Sequence, residues 1–191
     1  MKIKNLRVNH VSCPVGFQTM PLSLSWTVED SGEARGQKWA RVQLFENDTE
    51  IFDSGEDSLA DPVDFQIPES VTLKPRTAYT WTVTVMADSG ETAQAGSYFE
   101  TGKMEEPWQG QWISPENSTS SAILRKKFTV EALGAARLYM CGLGLYECYI
   151  NGKKAGNEFL SPGYHSYDFH LQAQTYDVTD LLENGENEIA I

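Results

Sequence analysis

The sequence predicts an all-β chain organised as two consecutive sandwiches. Three observations predict it. Apolar residues recur at a period of two, and helical periodicity is nearly absent. Clusters of Asp, Ser, Gly and Pro interrupt the alternating runs at short intervals. The segment Leu73-Lys-Pro-Arg-Thr-Ala-Tyr79 sets a tyrosine at the start of a late strand, where its hydroxyl reaches back across the preceding corner of a Greek-key sandwich.

The elements follow in order. Leu22, Leu24, Trp26 and Val28 alternate with small polar residues and predict a strand over 22–28. A second strand is expected over 40–45. A third spans 79–85, with Tyr79, Trp81, Val83 and Val85 on one face. Such strands bury one face and wet the other, as antiparallel sheets do. Asp30-Ser-Gly32, Asp53-Ser-Gly55, Asp61-Pro62 and Asp88-Ser-Gly90 supply the turns. Trp26, Tyr79 and Trp81 are assigned to core packing. Residues 1–102 thereby resemble a fibronectin type III or immunoglobulin-like sandwich.

Residues 103–122 read as a linker, charged and broken by Pro107 and Gly110, with a polar loop at 117–121. Further strands are expected over 123–130, 136–141, 145–150 and 187–191. Asn151-Gly152 is a strong type I′ hairpin signal. Thr179 is expected to cap one helical turn at 180–182 that Gly185 ends. Asp177 is expected to accept turn amides in an Asx-turn. Gly142 and Gly144 suit a tight bend, while Trp108, Trp112, Tyr146 and Tyr149 suit core or interdomain packing. Because the chain stops on strand formers, 123–191 is read as the opening of a jelly-roll-like sandwich, truncated. A strand at 187–191 whose partner lay downstream would leave an open edge, and open edges recruit second copies.

Composition excludes several functions. With 15 basic and 27 acidic residues the formal charge is −12, spread evenly along the chain. Such a surface repels nucleic acid and anionic membranes and leaves neutral partners such as sugars open. No apolar run is long enough to span a bilayer. Cys13, Cys141 and Cys148 match no zinc spacing and cannot all pair. With no apolar h-region at the N-terminus, a reducing, cytoplasmic location is expected. No cofactor and no metal are expected: His165, Asp168 and His170 fit no zinc pattern, and no calcium loop is present. Asn47-Asp-Thr49 and Asn117-Ser-Thr119 match the glycosylation pattern by chance.

No catalytic constellation stands out. Glycoside hydrolysis uses two facing carboxyl groups, but Glu56-Asp57 and Glu105-Glu106 would point to opposite faces of a strand. Tyr164, His165, Tyr167 and Phe169 share one Pro-Gly loop. Aromatic rings there suit the C–H face of a pyranose, or packing against another domain; the interdomain role is favoured.

The ordered combination is more specific than its parts. Asn5-Leu-Arg-Val, Pro21-x-x-x-x-Trp26, Asp53-Ser-Gly55, Leu73-x-Pro-x-Thr-x-Tyr-x-Trp-x-Val83 and Phe99-Glu-Thr-Gly102 come first. Trp108-x-x-x-Trp112-Ile113, Gly144-x-Tyr146-x-x-x-Ile150-Asn-Gly-Lys153, Leu160-x-Pro-Gly163, Thr175-Tyr-Asp-Val-Thr179 and Gly185-x-Asn187 follow. This succession resembles the N-terminal region of bacterial α-L-rhamnosidases, inverting glycoside hydrolases. Family members often carry Trp where this chain has Tyr164. The resemblance implies a downstream (α/α)6 barrel holding the catalytic carboxylates, a non-catalytic role for this chain, and rhamnose-containing glycans as partners. The alternatives are an autonomous carbohydrate-binding module and an accessory region of a different glycosidase.

Overall fold

A computed structural model describes residues 1–29, 32, 34–116 and 121–191. The predicted turn at Asp30-Ser-Gly32 and the polar loop with its Asn117 sequon fall largely outside them. The described residues are all-β apart from a single 3-10 turn, and no helix among them is long and apolar enough to cross a membrane. The chain divides into two compact units, Met1–Glu106 and Pro107–Ile191.

In the first unit the strands are β1 (Lys2–Val8), β2 (Val15–Phe17), β3 (Ser23–Glu29), β4 (Gln37–Glu46), β5 (Thr49–Asp53), β6 (Phe65–Gln66), β7 (Ala78–Ala87) and β8 (Thr92–Thr101). They form a three-stranded sheet β1-β3-β6 and a five-stranded sheet β2-β8-β7-β4-β5. The alternation read in the sequence sets the inner faces. Tyr79, Trp81, Val83, Val85 and Ala87 of β7 are buried, with Ala40, Val42 and Leu44 of β4 and Leu24 and Trp26 of β3. Tyr79 stacks on Phe99 with centroids 5.2 Å apart, and Trp26 tilts against Phe65 at 6.1 Å.

The corner before β7 is bolted by side chains. The Tyr79 hydroxyl accepts the Lys74 amide at 2.7 Å. Buried Thr101 donates its hydroxyl to the Lys74 carbonyl at 2.6 Å and accepts the Thr77 amide at 3.0 Å. Three backbone groups of the loop are thus satisfied within the fold. The tripeptide Asn47-Asp-Thr49 has a structural role that its sequon pattern hides. Asn47 and Asp48 adopt positive φ of 47° and 64° between Glu46 and Thr49, forming the β4–β5 hairpin turn.

The second unit contains β9 (Arg125–Val130), β10 (Arg137–Cys141), β11 (Tyr149–Ile150), β12 (Lys153–Lys154), β13 (Ala173–Asp177) and β14 (Gly185–Ala190). They form a two-stranded sheet β10-β13 and a four-stranded sheet β12-β11-β14-β9. A smaller core gathers Cys148, Ile150, Ala155, Tyr176 and Val178. Asn151 and Gly152 take φ of 51° and 77°, the left-handed pair that a type I′ turn between β11 and β12 requires.

Four expectations are corrected here. The strand expected over 145–150 is confined to Tyr149–Ile150, because Tyr146 turns away to bridge Ser161 and its ring packs beneath Gly142. Thr179 is not the cap but lies inside the 3-10 turn Thr179–Leu181; its hydroxyl accepts the Ala136 amide at 3.0 Å instead. Gly185 opens β14 rather than ending the turn, with φ of 97°. The terminal strand has no open edge: β14 pairs with β11 on one side and β9 on the other, and Ile191 and Leu124 exchange backbone hydrogen bonds. The partners expected to lie downstream are thus supplied within the chain, by β9 and β11.

Candidate functional site

The candidate loop runs from the end of the β11–β12 hairpin to β13. Its entry is tied down by the Tyr146 amide, which donates to the Ser161 carbonyl at 2.7 Å. Gly163, at φ of 87°, reverses the chain after Pro162, a conformation that a side chain would strain. The next two residues then point oppositely: Tyr164 is 94% exposed, whereas His165 is 8% exposed.

His165 is the internal anchor of the loop rather than part of its surface. Its Nδ1 accepts the Gln172 amide at 3.3 Å, which places the proton on Nε2, and Nε2 lies 3.3 Å from Gln172 Oε1. The ring meets Tyr167 and His170 edge-on, with centroids 6.1 and 6.2 Å away. A tight turn follows, as the Phe169 and His170 amides both donate to the Ser166 carbonyl. The turn sends Phe169 outward, while Tyr167 tilts against Tyr164 at 6.4 Å. The outward set is thus Tyr164, Tyr167 and Phe169. Sequence reasoning missed two neighbours, Phe159 and Leu160, both strongly exposed; the Lys154 ammonium sits 4.1 Å over the Phe159 ring. Their place immediately before Ser-Pro-Gly was the available signal.

The residues assigned structural roles are scattered through the chain. Trp26, Tyr79 and Trp81 lie in the first core. Trp112 does not lie in a core: it is 65% exposed, in an extended segment outside either buried cluster. Asn151 fixes three elements, donating to Leu181 O and Asn187 Oδ1 and accepting the Glu188 amide. Asp177 Oδ1 accepts the Thr179 amide at 3.0 Å and lies 2.9 Å from Arg137 Nη1. Partial burial opposes ionisation of Asp177, but the Thr179 hydrogen bonds and the Arg137 charge outweigh it and hold the carboxyl below its ordinary range.

Chemically, this loop offers exposed aromatic faces. Among the described residues no group of three or more His, Cys, Asp or Glu is placed to hold a metal ion. Among the described residues, the carboxyls of Asp53 beside Arg41, Asp64 beside Ser23, Glu147 beside Lys154 and Asp177 are held below their ordinary range.

An immunoglobulin-like sandwich followed by a second β-rich unit with an outward aromatic loop defines a two-unit, all-β class of chain. Comparison with known proteins makes the assignment specific. Residues 3–105 match the family model described as the Rha78A-like, N-terminal immunoglobulin domain, and residues 131–191 match the alpha-L-rhamnosidase N-terminal domain. The chain belongs to this family of α-L-rhamnosidase N-terminal regions. An alpha-L-rhamnosidase of Formosa agariphila is 26% identical over 222 residues, covering 96% of this chain and 23% of the relative. One from Streptomyces avermitilis is 39% identical over 85 residues, covering 42% of this chain and 8% of the relative. The solved alpha-L-rhamnosidase from Dictyoglumus thermophilum superposes over 100% of this chain and 25% of its own, with a TM-score of 0.87 at 25% identity. The chain therefore spans about a quarter or less of the length of the relatives it matches.

Proposed function

We propose that this chain is the non-catalytic N-terminal part of an α-L-rhamnosidase, a glycosidase that releases terminal L-rhamnose with inversion. In that enzyme it braces a downstream (α/α)6 catalytic domain, with Tyr164, Tyr167 and Phe169 as the contact surface and rhamnose-containing glycans passing nearby. Its working division is a sandwich over 1–102, a linker over 103–122 and an N-terminal sandwich portion over 123–191. The observation that carries the reading is the match of both units, in order, to α-L-rhamnosidase N-terminal domains.

A reducing compartment is part of the same proposal. Cys13, Cys141 and Cys148 are free thiols. Burial pushes the Cys141 thiol up and the Cys148 thiol up to about 11, so both stay protonated and weakly reactive.

Three observations test the proposal. The purified chain should show no turnover of an aryl α-L-rhamnoside; turnover that copurifies with it through gel filtration rules out the non-catalytic role. In the full-length enzyme, Tyr164→Ala with Phe169→Ala should lower the melting temperature while leaving that of the isolated chain unchanged. A reading frame that continues into no helical barrel rules out the parentage.

A further inference from the structure

Tyr149, Ala190 and Arg125 stand directly opposite one another on β11, β14 and β9. Residues in register on neighbouring strands project from the same face of the sheet. The methyl group of Ala190 thus lies low between a phenol ring and a guanidinium. This depression is the floor of a cleft of about 580 Å3, walled by Leu145 and Ile123. That volume falls within the usual range for small-ligand sites.

The polar groups around the floor are held in place by one another. Arg125 Nη1 donates to Glu188 Oε1 at 2.7 Å. Lys154 Nζ donates to Glu147 Oε1 at 2.8 Å, and the Tyr149 hydroxyl donates to Glu147 Oε2 at 2.6 Å. Arg125, Glu147 and Glu188 line the cleft, and Lys154, outside the lining, neutralises Glu147, so the paired charges around the cleft cancel in a chain of formal charge −12. An anion would meet Glu147 and Glu188, and a cation would meet Arg125 and a Glu147 already paired with Lys154. A neutral polyol matches both signs: carboxylates accept from its hydroxyls, and the guanidinium has more N–H donors than the Glu188 pair consumes.

We propose that this cleft binds a neutral pyranose, its C–H face laid on Tyr149 over Ala190 and its hydroxyls reaching Arg125, Glu147 and Glu188. The aromatic wall and the apolar side chains of Leu145 and Ile123 take the sugar's ring carbons, and the paired charges fix its orientation. The site shares no residue with the aromatic loop at 164–169. It goes beyond the accessory role proposed above; only the choice of L-rhamnose as first probe rests on that role.

The test is amide-shift titration of the isotope-labelled 191-residue chain with L-rhamnose, D-mannose and D-galacturonate. Saturable shifts centred on Tyr149, Ala190 and Arg125 are expected with a neutral sugar, at a dissociation constant of roughly millimolar order. Ala190→Leu fills the floor and should weaken binding about tenfold or more. Arg125→Gln, at an exposed side chain, should weaken it several-fold without affecting folding. Binding of D-mannose but not L-rhamnose upholds the cleft and counts against rhamnose as the parent's sugar. The site is refuted by shifts confined to 164–169, by tighter binding of galacturonate, or by silence with every neutral sugar. Concentration-dependent shifts of the same amides without sugar would show a second copy covering the cleft, and would equally refute it.

Discussion

Asn151 donates its side-chain amide to the side-chain oxygen Oδ1 of Asn187 at 2.8 Å, linking the β11–β12 hairpin to the central strand β14. Asn187 is 2% exposed, and its hydrogen-bonding capacity is fully used. Its oxygen also accepts the Glu183 amide, and its nitrogen donates to the Glu183 and Gly185 carbonyls at 2.8 and 2.9 Å. A buried amide with every partner in place pins the chain entering β14 to the hairpin beside it.

Removing that amide should destabilise the second unit. Asn187→Ala leaves the Glu183 amide, two carbonyls and the Asn151 side chain without their partner, at an expected cost of roughly 3 kcal/mol. Asn151→Ala should cost less, about 1–2 kcal/mol, with a coupling of around 1 kcal/mol in the double-mutant cycle. Urea unfolding with hydrogen exchange at Glu183 and Glu188 reads both. An Asn187→Ala protein as stable as the parent chain contradicts the assignment.

The first unit should depend on the Tyr79 hydroxyl as well as its ring. Tyr79→Phe keeps the stacking on Phe99 but deprives the Lys74 amide of its acceptor. The expected loss is about 1–2 kcal/mol, read as a lower urea midpoint by tryptophan fluorescence. No change in midpoint would mean that water replaces the hydroxyl.

One surface pair carries a defined pH dependence. Hydrogen bonding to Arg41, then the Gly55 amide and the Arg41 charge, hold the Asp53 carboxyl down at about 2 against an ordinary 3.8. A carboxyl lowered on folding stabilises above its unfolded value and loses that contribution as pH falls through its folded value. The loss should therefore fall between about pH 3.8 and about pH 2. Both side chains are partly solvated, so screening limits the contribution to under about 1 kcal/mol. Asp53→Asn should flatten the stability profile in that window; an unchanged slope would falsify the pairing.

Neighbouring residues of the aromatic loop should respond unequally to truncation. Tyr164→Ala removes a side chain that is 94% exposed and should shift stability by no more than about 0.5 kcal/mol. His165→Ala removes the acceptor of the Gln172 amide and should cost about 1–2 kcal/mol, with faster exchange at Gln172. Equal effects of the two substitutions would mean that His165 does not anchor the loop.

Much of the first unit was legible because its signals are local. The alternation around Trp81 names the buried face of β7, and Tyr79 lies five residues from the amide it accepts. The Asn151-Gly152 turn is readable for the same reason, since left-handed φ at two successive positions selects those residues directly. The second unit was harder to read. Nothing local in 145–150 shows that Tyr146 leaves the strand to meet Ser161, and β13 lacks the apolar alternation that marks β7.

By itself the sequence determined the all-β class, the sandwich corner, the hairpin turns and the family succession, because each follows from side-chain period or from backbone preference within a few residues. Only the tertiary structure decided which aromatics face water, that Trp112 stands outside the cores, and that His165 points inward beside an outward Tyr164. It also decided that β14 is a central strand and that Ala190 lies between Tyr149 and Arg125. These depend on pairings between segments up to about sixty residues apart, where the hydrogen-bond ladder rather than local preference selects the neighbour.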